Sequence, residues 1–247
     1  MQTILITGCS SGFGLEIARH FLARDWKVIA TMRTPREDVL PPSNQLHVLA
    51  LDITDPESIR RAIEAAGPID VLVNNAGIGM LGALEGVSMA AIRDIFETNT
   101  FGTMAMTQAV LPQFRRRRTG VVVNITSSVT LKPLTLLAVY TASKAAVNAF
   151  TESLALELEP FNVRVNLVLP GRSPETPFGA NARARTPSGV PESYADVAKR
   201  VLAQFGELGP VTHASDVAEA VWRAATDPTS PMRIAAGADS VALMPSG

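Results

Sequence analysis

Cysteine is nearly absent from this 247-residue chain, in which Cys9 is the only one. A single cysteine can form neither an internal disulfide nor a multi-cysteine metal site. The three histidines (His20, His47 and His213) are far apart and lack the spacing of a ligand cluster, so we expect ordinary surface or core positions for them. The sequence therefore predicts no metal site.

An excess of charge of either sign is also lacking, since the formal net charge is −1. A nucleic-acid-binding surface needs a strongly basic face, so we expect no nucleic-acid partner. The run RRRR at 115–118 is a local exception. We interpret it as a solvated helix end favoured by the helix dipole rather than as an anion site.

No apolar stretch is long enough to span a bilayer. The opening residues, MQTILITGCS, are typical of a strand that runs into a glycine turn rather than of a signal peptide, so we expect a cytoplasmic protein. Hydrophobic residues make up 47% of the chain, which is enough for a large core. Because no linker or repeat divides the sequence, we predict a single domain over 1–247.

Short aliphatic or β-branched runs alternate with stretches of helical periodicity. Strands are predicted at 3–7, 27–32, 46–52, 70–75, 120–127, 162–170 and 232–237, and long helices at 89–117 and 139–159. Apolar strands that alternate with helices are typical of a parallel sheet covered on both faces. Right-handed crossovers then predict a doubly wound, Rossmann-type α/β sheet of about seven strands.

A glycine-rich turn, TGCSSGFG at 7–14, separates the first predicted strand from the first helix. Glycines permit a tight turn and a close approach of ligand to backbone, and the following helix N-terminus can bind a pyrophosphate. The spacing of Gly8, Gly12 and Gly14 differs from G-x-G-x-x-G, so the turn by itself leaves a purely structural role open.

Tyrosine is scarce, and Tyr140 precedes Lys144 by one helical turn in YTASK. Free tyrosine has a pKa of about 10, and a neighbouring ammonium would lower that pKa. The spacing fits an acid with its electrostatic partner, or simply two residues on one helix face. Ser127, at a predicted strand end, is either an oxygen-positioning donor or a turn residue, and Ser128 competes with it.

The motifs TGCSSGFG, NNAG at 74–77 and YTASK occur in the order and separation found in the short-chain dehydrogenase/reductase family. From Thr3 to about Gly237 the chain resembles the compact group of that family, whose turn reads TGxxxGxG. The segments KVIATMR and PMRIAAGADS look closer to its hydroxysteroid and retinol dehydrogenase-like branch than to ketoacyl-carrier-protein reductases. That branch acts on lipophilic substrates.

The resemblance implies a catalytic tetrad of Asn99, Ser127, Tyr140 and Lys144. Tyr140 would carry the proton, Ser127 would position the carbonyl oxygen, and Lys144 would tune Tyr140 and hold the nicotinamide ribose. Asn99 would complete a proton relay, although a polar mid-helix residue bonded to the backbone is the competing interpretation. The implied cofactor contacts are Gly8, Ser10, Ser11, Gly12, Phe13, Gly14, Arg33, Asp52, Ile53, Asn75, Ala76, Gly77, Tyr140, Lys144, Pro170, Gly171 and Thr176.

The second predicted strand ends in an arginine rather than an acid. In such folds an acid there holds the ribose 2′-OH, whereas an arginine accommodates a 2′-phosphate. Arg33 follows Met32, which stands where NAD-preferring relatives usually carry the acid. We therefore predict NADP(H), with a solvated strand-end arginine as the alternative. By resemblance Asp52 meets the adenine ring, or else it caps the nearby helix.

The stretch at 170–191, PGRSPETPFGANARARTPSGVP, is rich in proline and glycine. It follows a strand's carboxyl end, where ligands bind in such sheets, so we predict a substrate loop at 172–191. A plain surface connection is the alternative. Relatives usually place a threonine closer to the P-G pair than Thr176 is here, which leaves the role of Thr176 open.

Together these features predict an NADP(H)-dependent oxidoreductase that acts on a small carbonyl or alcohol substrate. Amphipathic helices at 89–117 and 139–159 are candidates for contacts in a homo-oligomer, a dimer or a tetramer. One alternative is a sensor or scaffold that binds NADP(H) without turnover. Another is an epimerase or dehydratase, which the glycine spacing disfavours.

Overall fold

The sheet of this protein has seven strands, all parallel, in a computed structural model that describes residues 1–185, 190–206 and 209–244. In spatial order the strands run β3-β2-β1-β4-β5-β6-β7. Their bounds are β1 (Thr3–Ile6), β2 (Lys27–Met32), β3 (Leu46–Ala50), β4 (Val71–Asn74), β5 (Gly120–Ile125), β6 (Val163–Pro170) and β7 (Arg233–Ala236). The predicted doubly wound sheet is confirmed, and each strand lies where the sequence placed it.

Helices cover both faces of the sheet. Within the described ranges they are α1 (Gly12–Leu22), α2 (Pro56–Ala66), α3 (Met89–Phe96), α4 (Gly102–Arg117), α5 (Ala138–Leu158), α6 (Phe178–Ala184), α7 (Ala195–Gly206), α8 (Ala214–Thr226) and α9 (Ala238–Val241). Asp55 caps α2 by accepting a hydrogen bond from the Glu57 backbone N–H at 3.0 Å, and Pro56 occupies the first helical position.

Two apolar cores lie on opposite faces of the sheet. On one face, Phe21 of α1 and Val221 of α8 are fully buried against the strands. On the other face, Met106 and Phe114 of α4 pack with Leu154 of α5. Each buried side chain of this size contributes about 1.5–3 kcal/mol of transfer free energy, so both helix layers are held firmly on the sheet.

The strand order reverses direction between β1 and β4, which are neighbours with Ile4 opposite Val71. The chain leaves β1 towards β2 and leaves β4 towards β5, so their carboxyl ends open a crevice. Ligands bind in such crevices at the carboxyl edge of doubly wound sheets. The candidate residues after β1, β4, β5 and β6 all lie along this edge.

A chain of buried amide and hydroxyl groups crosses the middle of the sheet. The Nδ2 of Asn74 in β4 donates to the Oδ1 of Asn124 in β5 at 2.8 Å and to the Oγ1 of Thr107 at 3.0 Å. Asn124 in turn donates to the Oγ1 of Thr151 on α5 at 2.8 Å. These bonds link the central strands to the helix that carries Tyr140, and no motif in the sequence predicted them.

The stretch predicted as a loop at 172–191 is partly helical, because α6 lies within it. Residues 186–189 of that stretch lie outside the described residues. The run 115–118 is the predicted exposed helix end, but it also makes structural contacts. Arg117 pairs with Asp70 at 3.3 Å, and Arg118 donates to the backbone oxygen of Pro160 at 2.8 Å.

Candidate active site

The glycine turn after β1 is packed so tightly that two of its positions admit no side chain. Gly8 has φ +77°, and a Cβ there would lie 2.9 Å from the Cα of Ala76. A Cβ on Gly14 would lie 2.4 Å from the backbone oxygen of Gly8. The turn therefore brings bare backbone to the start of α1, whose first N–H groups can receive an anion.

The NNAG motif after β4 supports this turn from the neighbouring strand. The Nδ2 of Asn75 donates to the backbone oxygens of Thr7 at 2.8 Å and Gly8 at 3.1 Å. The backbone N–H groups of Asn75 and Ala76 donate to the Oγ1 of Thr7 at 3.0 and 2.9 Å. Asn75 and Ala76 thus hold the turn in shape from the β4 side.

The serines of the turn are open to solvent. Ser10 and Ser11 are exposed, and Ser11 stands at the N-cap of α1 without a capping hydrogen bond from its side chain. Phe13 is half-buried and packs against the core beneath α1. The structure therefore leaves both hydroxyls available at the mouth of the turn, whereas Phe13 contributes packing.

Arg33 and Asp52 lie near each other beyond the ends of β2 and β3. Hydrogen bonds from the backbone and hydroxyl of Thr54 hold the pKa of Asp52 below its usual range, and the charge of Arg33 lowers it further. The Oδ1 of Asp52 receives the two Thr54 bonds at 2.9 and 2.7 Å. The alternative role of Asp52 as the cap of α2 is wrong, since Asp55 caps that helix. The adjacent Ile53 is buried and lies against Gly102 at the start of α4.

Ser127 and Tyr140 share a side-chain hydrogen bond at the carboxyl end of β5. Tyr140 is 7% exposed and Ser127 is 8% exposed, so the bond is largely shielded from water. Ser127 directly follows the strand, and Tyr140 is in the first turn of α5. Ser128 is half-buried in the next turn, so the structure favours Ser127 over Ser128 as the partner of Tyr140.

Lys144 and Asn99 converge on Gly77, the last residue of the NNAG motif. A Cβ on Gly77 would lie 3.3 Å from the Nζ of Lys144 and 3.2 Å from the Oδ1 of Asn99. The Nζ of Lys144 donates to the backbone oxygen of Ile125 at 2.9 Å. The four residues of the predicted tetrad are therefore gathered around the ends of β4 and β5.

A π-helical turn, Glu97–Phe101, interrupts the predicted helix 89–117 and presents Asn99. Asn99 Oδ1 accepts from the backbone N–H of Ile78 at 2.8 Å, and its Nδ2 donates to the backbone oxygen of Ile78 at 2.9 Å and to Ser143 Oγ at 3.1 Å. Its bonds thus cross to the segment after β4 and to α5 rather than closing within its own helix. Such π turns often occur at functional sites.

The pKa values of Tyr140 and Lys144 are not those expected from their spacing. Burial raises the pKa of Tyr140 to about 12, and the hydrogen bond with Ser127 acts in the opposite direction. Burial also lowers the pKa of Lys144 to about 8. The expectation that Lys144 depresses the pKa of Tyr140 is therefore wrong for this structure, because loss of hydration dominates both groups.

The segment after β6 lies across the glycine turn and across Tyr140. A Cβ on Gly12 would be 3.5 Å from the Cβ of Thr176, which places Thr176 against the turn. Two residues later, the ring of Phe178 lies 5.8 Å from the Tyr140 ring, centroid to centroid. Phe178 also touches Gly79, where a Cβ would be 2.8 Å from its ring. Phe178 belongs to none of the sequence motifs, although an aromatic residue two positions after Thr176 is a visible signal.

This segment is tied to the carboxyl end of the chain. The N–H of Gly171, next to Pro170, donates to Thr212 Oγ1 at 2.8 Å, and the N–H of Arg172 donates to Asp239 Oδ2 at 2.6 Å. The carboxylate of Glu175 accepts from the backbone N–H of Ala214 at the start of α8 and pairs with His213 at 3.1 Å. These contacts fix the course of the segment over the crevice.

A strained residue precedes α5. Leu136 has φ +66°, the left-handed region that a leucine rarely adopts. Its backbone oxygen accepts from the N–H of Gly82 at 2.9 Å, and its side chain is buried against α7. The left-handed conformation is thus held by packing four residues before Tyr140. Backbone strain of this kind is concentrated at functional sites.

Among the described residues, no group of three or more His, Cys, Asp or Glu side chains is placed to hold a metal ion. None of the helices that the structure describes is long and apolar enough to cross a membrane.

The chain is similar to known proteins over most of its length. The family model for short chain dehydrogenases matches residues 2–186. Retinol dehydrogenase 8 of Bos taurus is 42% identical over 184 residues, which make up 69% of this chain and 58% of that protein. Human 17-beta-hydroxysteroid dehydrogenase type 1 is 39% identical over 180 residues, or 67% of this chain and 52% of that protein. The chain thus spans little more than half the length of these curated relatives.

A solved structure of serine dehydrogenase in a closed form, complexed with NADP⁺, superimposes with a TM-score of 0.83 at 28% identity. The match covers 100% of this chain and 98% of that one. The protein belongs to the short-chain dehydrogenase/reductase family of oxidoreductases, in the branch that resembles the hydroxysteroid and retinol dehydrogenases.

Proposed function

We propose that the protein is an NADP(H)-dependent oxidoreductase that interconverts a carbonyl and an alcohol. The observation that carries this proposal is the hydrogen bond between Ser127 and Tyr140, with Lys144 and Asn99 converging on Gly77 beside it. Tyr140 exchanges the proton of the substrate oxygen, and Ser127 holds that oxygen in place. Lys144 and Asn99 position the groups around them.

The protonation states of the site suit the reductive direction. With a pKa of about 12, Tyr140 keeps its proton throughout the neutral range and can donate it to a developing alkoxide. With a pKa of about 8, Lys144 can exchange a proton close to neutrality. Its Nζ is held by the Ile125 oxygen at 2.9 Å, so its position is defined.

The residues present fit a nicotinamide dinucleotide. Gly8 and Gly14 leave bare backbone at the turn, where a Cβ would collide with neighbouring atoms. The start of α1 offers N–H groups to the pyrophosphate, and Ser10 and Ser11 offer open hydroxyls. Asn75, Ala76, Ile53 and Phe13 act mainly by shaping this cradle. When bound, the dinucleotide supplies or accepts the hydride.

NADP(H) is favoured over NAD(H) by the charge at the end of β2. Arg33 is exposed there, whereas Met32 before it is buried and uncharged. A 2′-phosphate would gain a charge-assisted hydrogen bond from the guanidinium. The serine dehydrogenase neighbour was crystallised with NADP⁺, which agrees with this preference.

We further propose that 172–191 is a substrate loop and that the substrate is lipophilic. Its described part carries Phe178 over Tyr140, and Leu136, Ala83 and α7 form an apolar cluster next to it. The names of the retinol and hydroxysteroid relatives agree with an apolar substrate. Thr176 lies against Gly12, which supports its proposed role as a cofactor contact from this loop.

Replacement of Tyr140 tests the proposed chemistry. Tyr140→Phe should lower NADPH-dependent turnover of a carbonyl panel at least about a hundredfold, because the proton donor is lost. NADPH binding, followed by its fluorescence, should stay close to wild type. The matched control is Tyr194→Phe, which removes the only other tyrosine, a half-buried residue whose hydroxyl bonds Glu85.

Near-normal turnover in Tyr140→Phe would contradict the assigned role. If the wild type binds NADPH but reduces no carbonyl and oxidises no alcohol, the sensor or scaffold alternative gains support instead. A higher catalytic efficiency with NADH than with NADPH would overturn the cofactor preference.

A further inference from the structure

The segment between β2 and Leu40 is held against the glycine turn and α1. Leu40 is 3% exposed and anchors the end of the segment in the core. The Nη2 of Arg19 on α1 donates to the backbone oxygen of Val39 at 3.4 Å. Between Arg33 and this anchor, the Nη2 of Arg36 donates to the backbone oxygen of Ser10 at 2.8 Å. The segment therefore has a defined course, with Arg36 at the turn.

Arg36 has donors to spare in this position. A guanidinium carries five N–H groups, and the bond to Ser10 uses one of them. The side chain is exposed, and among the described residues no carboxylate forms an ion pair with it. A planar donor group with an unneutralised charge is well suited to a phosphate.

Arg33 and Arg36 both follow β2, and each lies near a different part of the carboxyl edge of the sheet. Arg36 is fixed at Ser10 in the glycine turn, whereas Arg33 lies near Asp52 beyond β3. The exposed hydroxyl of Ser11 lies next to Ser10 in the chain. In sheets of this type the adenosine ribose is held between the glycine turn and the end of the second strand. A group on that ribose would therefore lie between Ser10, which Arg36 contacts, and the end of β2, which Arg33 follows.

We propose that Arg36 is a second cation for the 2′-phosphate of NADP(H), which acts together with Arg33. The inference rests on the proposed use of NADP(H) and adds a residue that the spacing rule for the second strand does not reach. A competing explanation is that Arg36 only straps the segment to the turn. If Arg36 only holds the segment in place, its loss would weaken the binding of every adenine nucleotide equally. If it contacts the phosphate, its loss would weaken the binding only of nucleotides that carry the 2′-phosphate.

Two small nucleotides separate these explanations without any turnover. Adenosine 2′,5′-bisphosphate carries the 2′-phosphate, and adenosine 5′-monophosphate lacks it. By calorimetry, Arg36→Ala should weaken binding of the bisphosphate about tenfold and change binding of the monophosphate by less than about twofold. Arg36→Lys, which keeps the charge but loses the planar fork, should lie in between. The salt dependence of bisphosphate binding should also become shallower in Arg36→Ala.

Arg118→Ala is the matched control. The Nη2 of Arg118 also donates to a single backbone oxygen, that of Pro160, at 2.8 Å, and the side chain is exposed. Arg118 precedes β5 and so lies at the amino ends of the strands, whereas Arg36 follows β2 at their carboxyl ends. This variant changes the net charge equally and should leave both affinities unchanged. Thermal unfolding of all variants checks that each one is folded.

Three results would contradict a phosphate contact by Arg36. Equal weakening of both nucleotides in Arg36→Ala would mean a strap and overturn it. A large loss in Arg33→Ala with none in Arg36→Ala would overturn it while leaving the NADP(H) preference in place. If the wild type binds the two nucleotides alike, the NADP(H) preference itself fails, and the role of Arg36 fails with it.

Discussion

Tyr140 and Lys144 are buried titratable residues, and each has its pKa shifted towards the neutral form of its side chain. The pKa of Tyr140 is raised to about 12 and that of Lys144 is lowered to about 8, both chiefly by burial. An uncharged lysine costs less to bury than an ammonium, so burial of Lys144 lowers the stability of the native state fully below about pH 8, and this effect is lost as the pH rises to 10.5. The site thus keeps its lysine at the expense of folding stability.

Lys144→Met should therefore stabilise the protein at neutral pH. A pKa shift from 10.5 to about 8 corresponds to a burial cost of about 3 kcal/mol, which the variant removes. The variant also loses the hydrogen bond to the Ile125 oxygen, which costs about 1 kcal/mol. We expect a net gain of about 2 kcal/mol in the free energy of unfolding at pH 7, measured by urea denaturation.

The sign of the pH dependence follows from the direction of the shift. Between about pH 8 and pH 10.5 the unfolded wild type binds more protons than the native state, so its stability rises with pH. The advantage of Lys144→Met should shrink over that interval. Lys132→Met removes an exposed lysine and should stay within about 0.5 kcal/mol of wild type at each pH. A constant advantage for Lys144→Met at all pH values would contradict this account.

For these residues the sequence predicted which side chains meet, but it did not predict the direction in which their pKa values shift. The motifs placed Ser127, Tyr140, Lys144 and Asn99 together, because each follows a strand or lies on a helix whose direction the pattern defines. The ring of Phe178, which comes from a different part of the chain, lies 5.8 Å from the Tyr140 ring and contributes to its surroundings. Desolvation arises from such packing, so no spacing rule reveals it.

The α6 helix lies in a stretch that the sequence predicted as a loop. Proline and glycine around 170–191 predicted a loop, yet Phe178–Ala184 forms two helical turns that lie on Gly79. Contacts of Phe178 with Gly79 and Tyr140 favour this arrangement over the local preference for coil. The buried bonds among Asn74, Asn124 and Thr151 were likewise invisible, because an asparagine in an apolar strand carries no signal of its partner.

Removing the aromatic cover should lower the pKa of Tyr140. Phe178→Ala exposes the phenol to water, so its pKa should fall from about 12 towards the ordinary tyrosine value of about 10. Ultraviolet absorbance of tyrosinate reports this titration. Measured in a Tyr194→Phe background, it reports Tyr140 alone, since the chain has two tyrosines.

Phe161→Ala provides the comparison for this experiment. Phe161 is half-buried and precedes β6, at the edge of the sheet remote from Tyr140. Loss of the Phe161 ring should leave the pKa of Tyr140 unchanged. A titration of Phe178→Ala that coincides with that of the Phe161→Ala control would show that the phenylalanine does not shield the tyrosine.

Across the whole molecule, an apolar groove runs between α4 and α5 on the outer surface. Its lining includes Met104, Leu111, Phe150 and Leu154, and Phe101 at its end is 53% exposed. Contiguous apolar surface of this kind often marks a protein contact. The predicted homo-oligomer remains a proposal, and this groove is the surface that we assign to it.

A charged side chain in this groove tests whether the groove is the interface between subunits. Phe150→Lys should shift the wild-type dimer or tetramer to monomer in sedimentation experiments, because the interface would bury an ammonium. Leu156→Lys introduces the same charge on the same helix at a 74% exposed position outside the groove lining, and it should sediment as wild type. A wild type that is monomeric at all concentrations, or an unchanged Phe150→Lys, would contradict the proposal.

The arrangement of the strands was the most predictable part of the structure. Strand order and direction follow from apolar runs that alternate with helices, since parallel pairing requires crossovers of one hand. All seven strands lie within a residue or two of their predicted positions, from Thr3–Ile6 to Arg233–Ala236. Their apolar side chains have no other way to be buried, whereas the contacts made by 172–191 depend on a few side chains.

Thr176 and Phe178 are separated by one residue, yet the first rests on the glycine turn and the second on the tyrosine. Because only one residue separates them, Thr176 cannot move away from the glycine turn while Phe178 stays in contact with Tyr140. We therefore expect the glycine turn and Tyr140 to become uncovered together. We expect the proposed cofactor and the proposed substrate to exchange at the same rate.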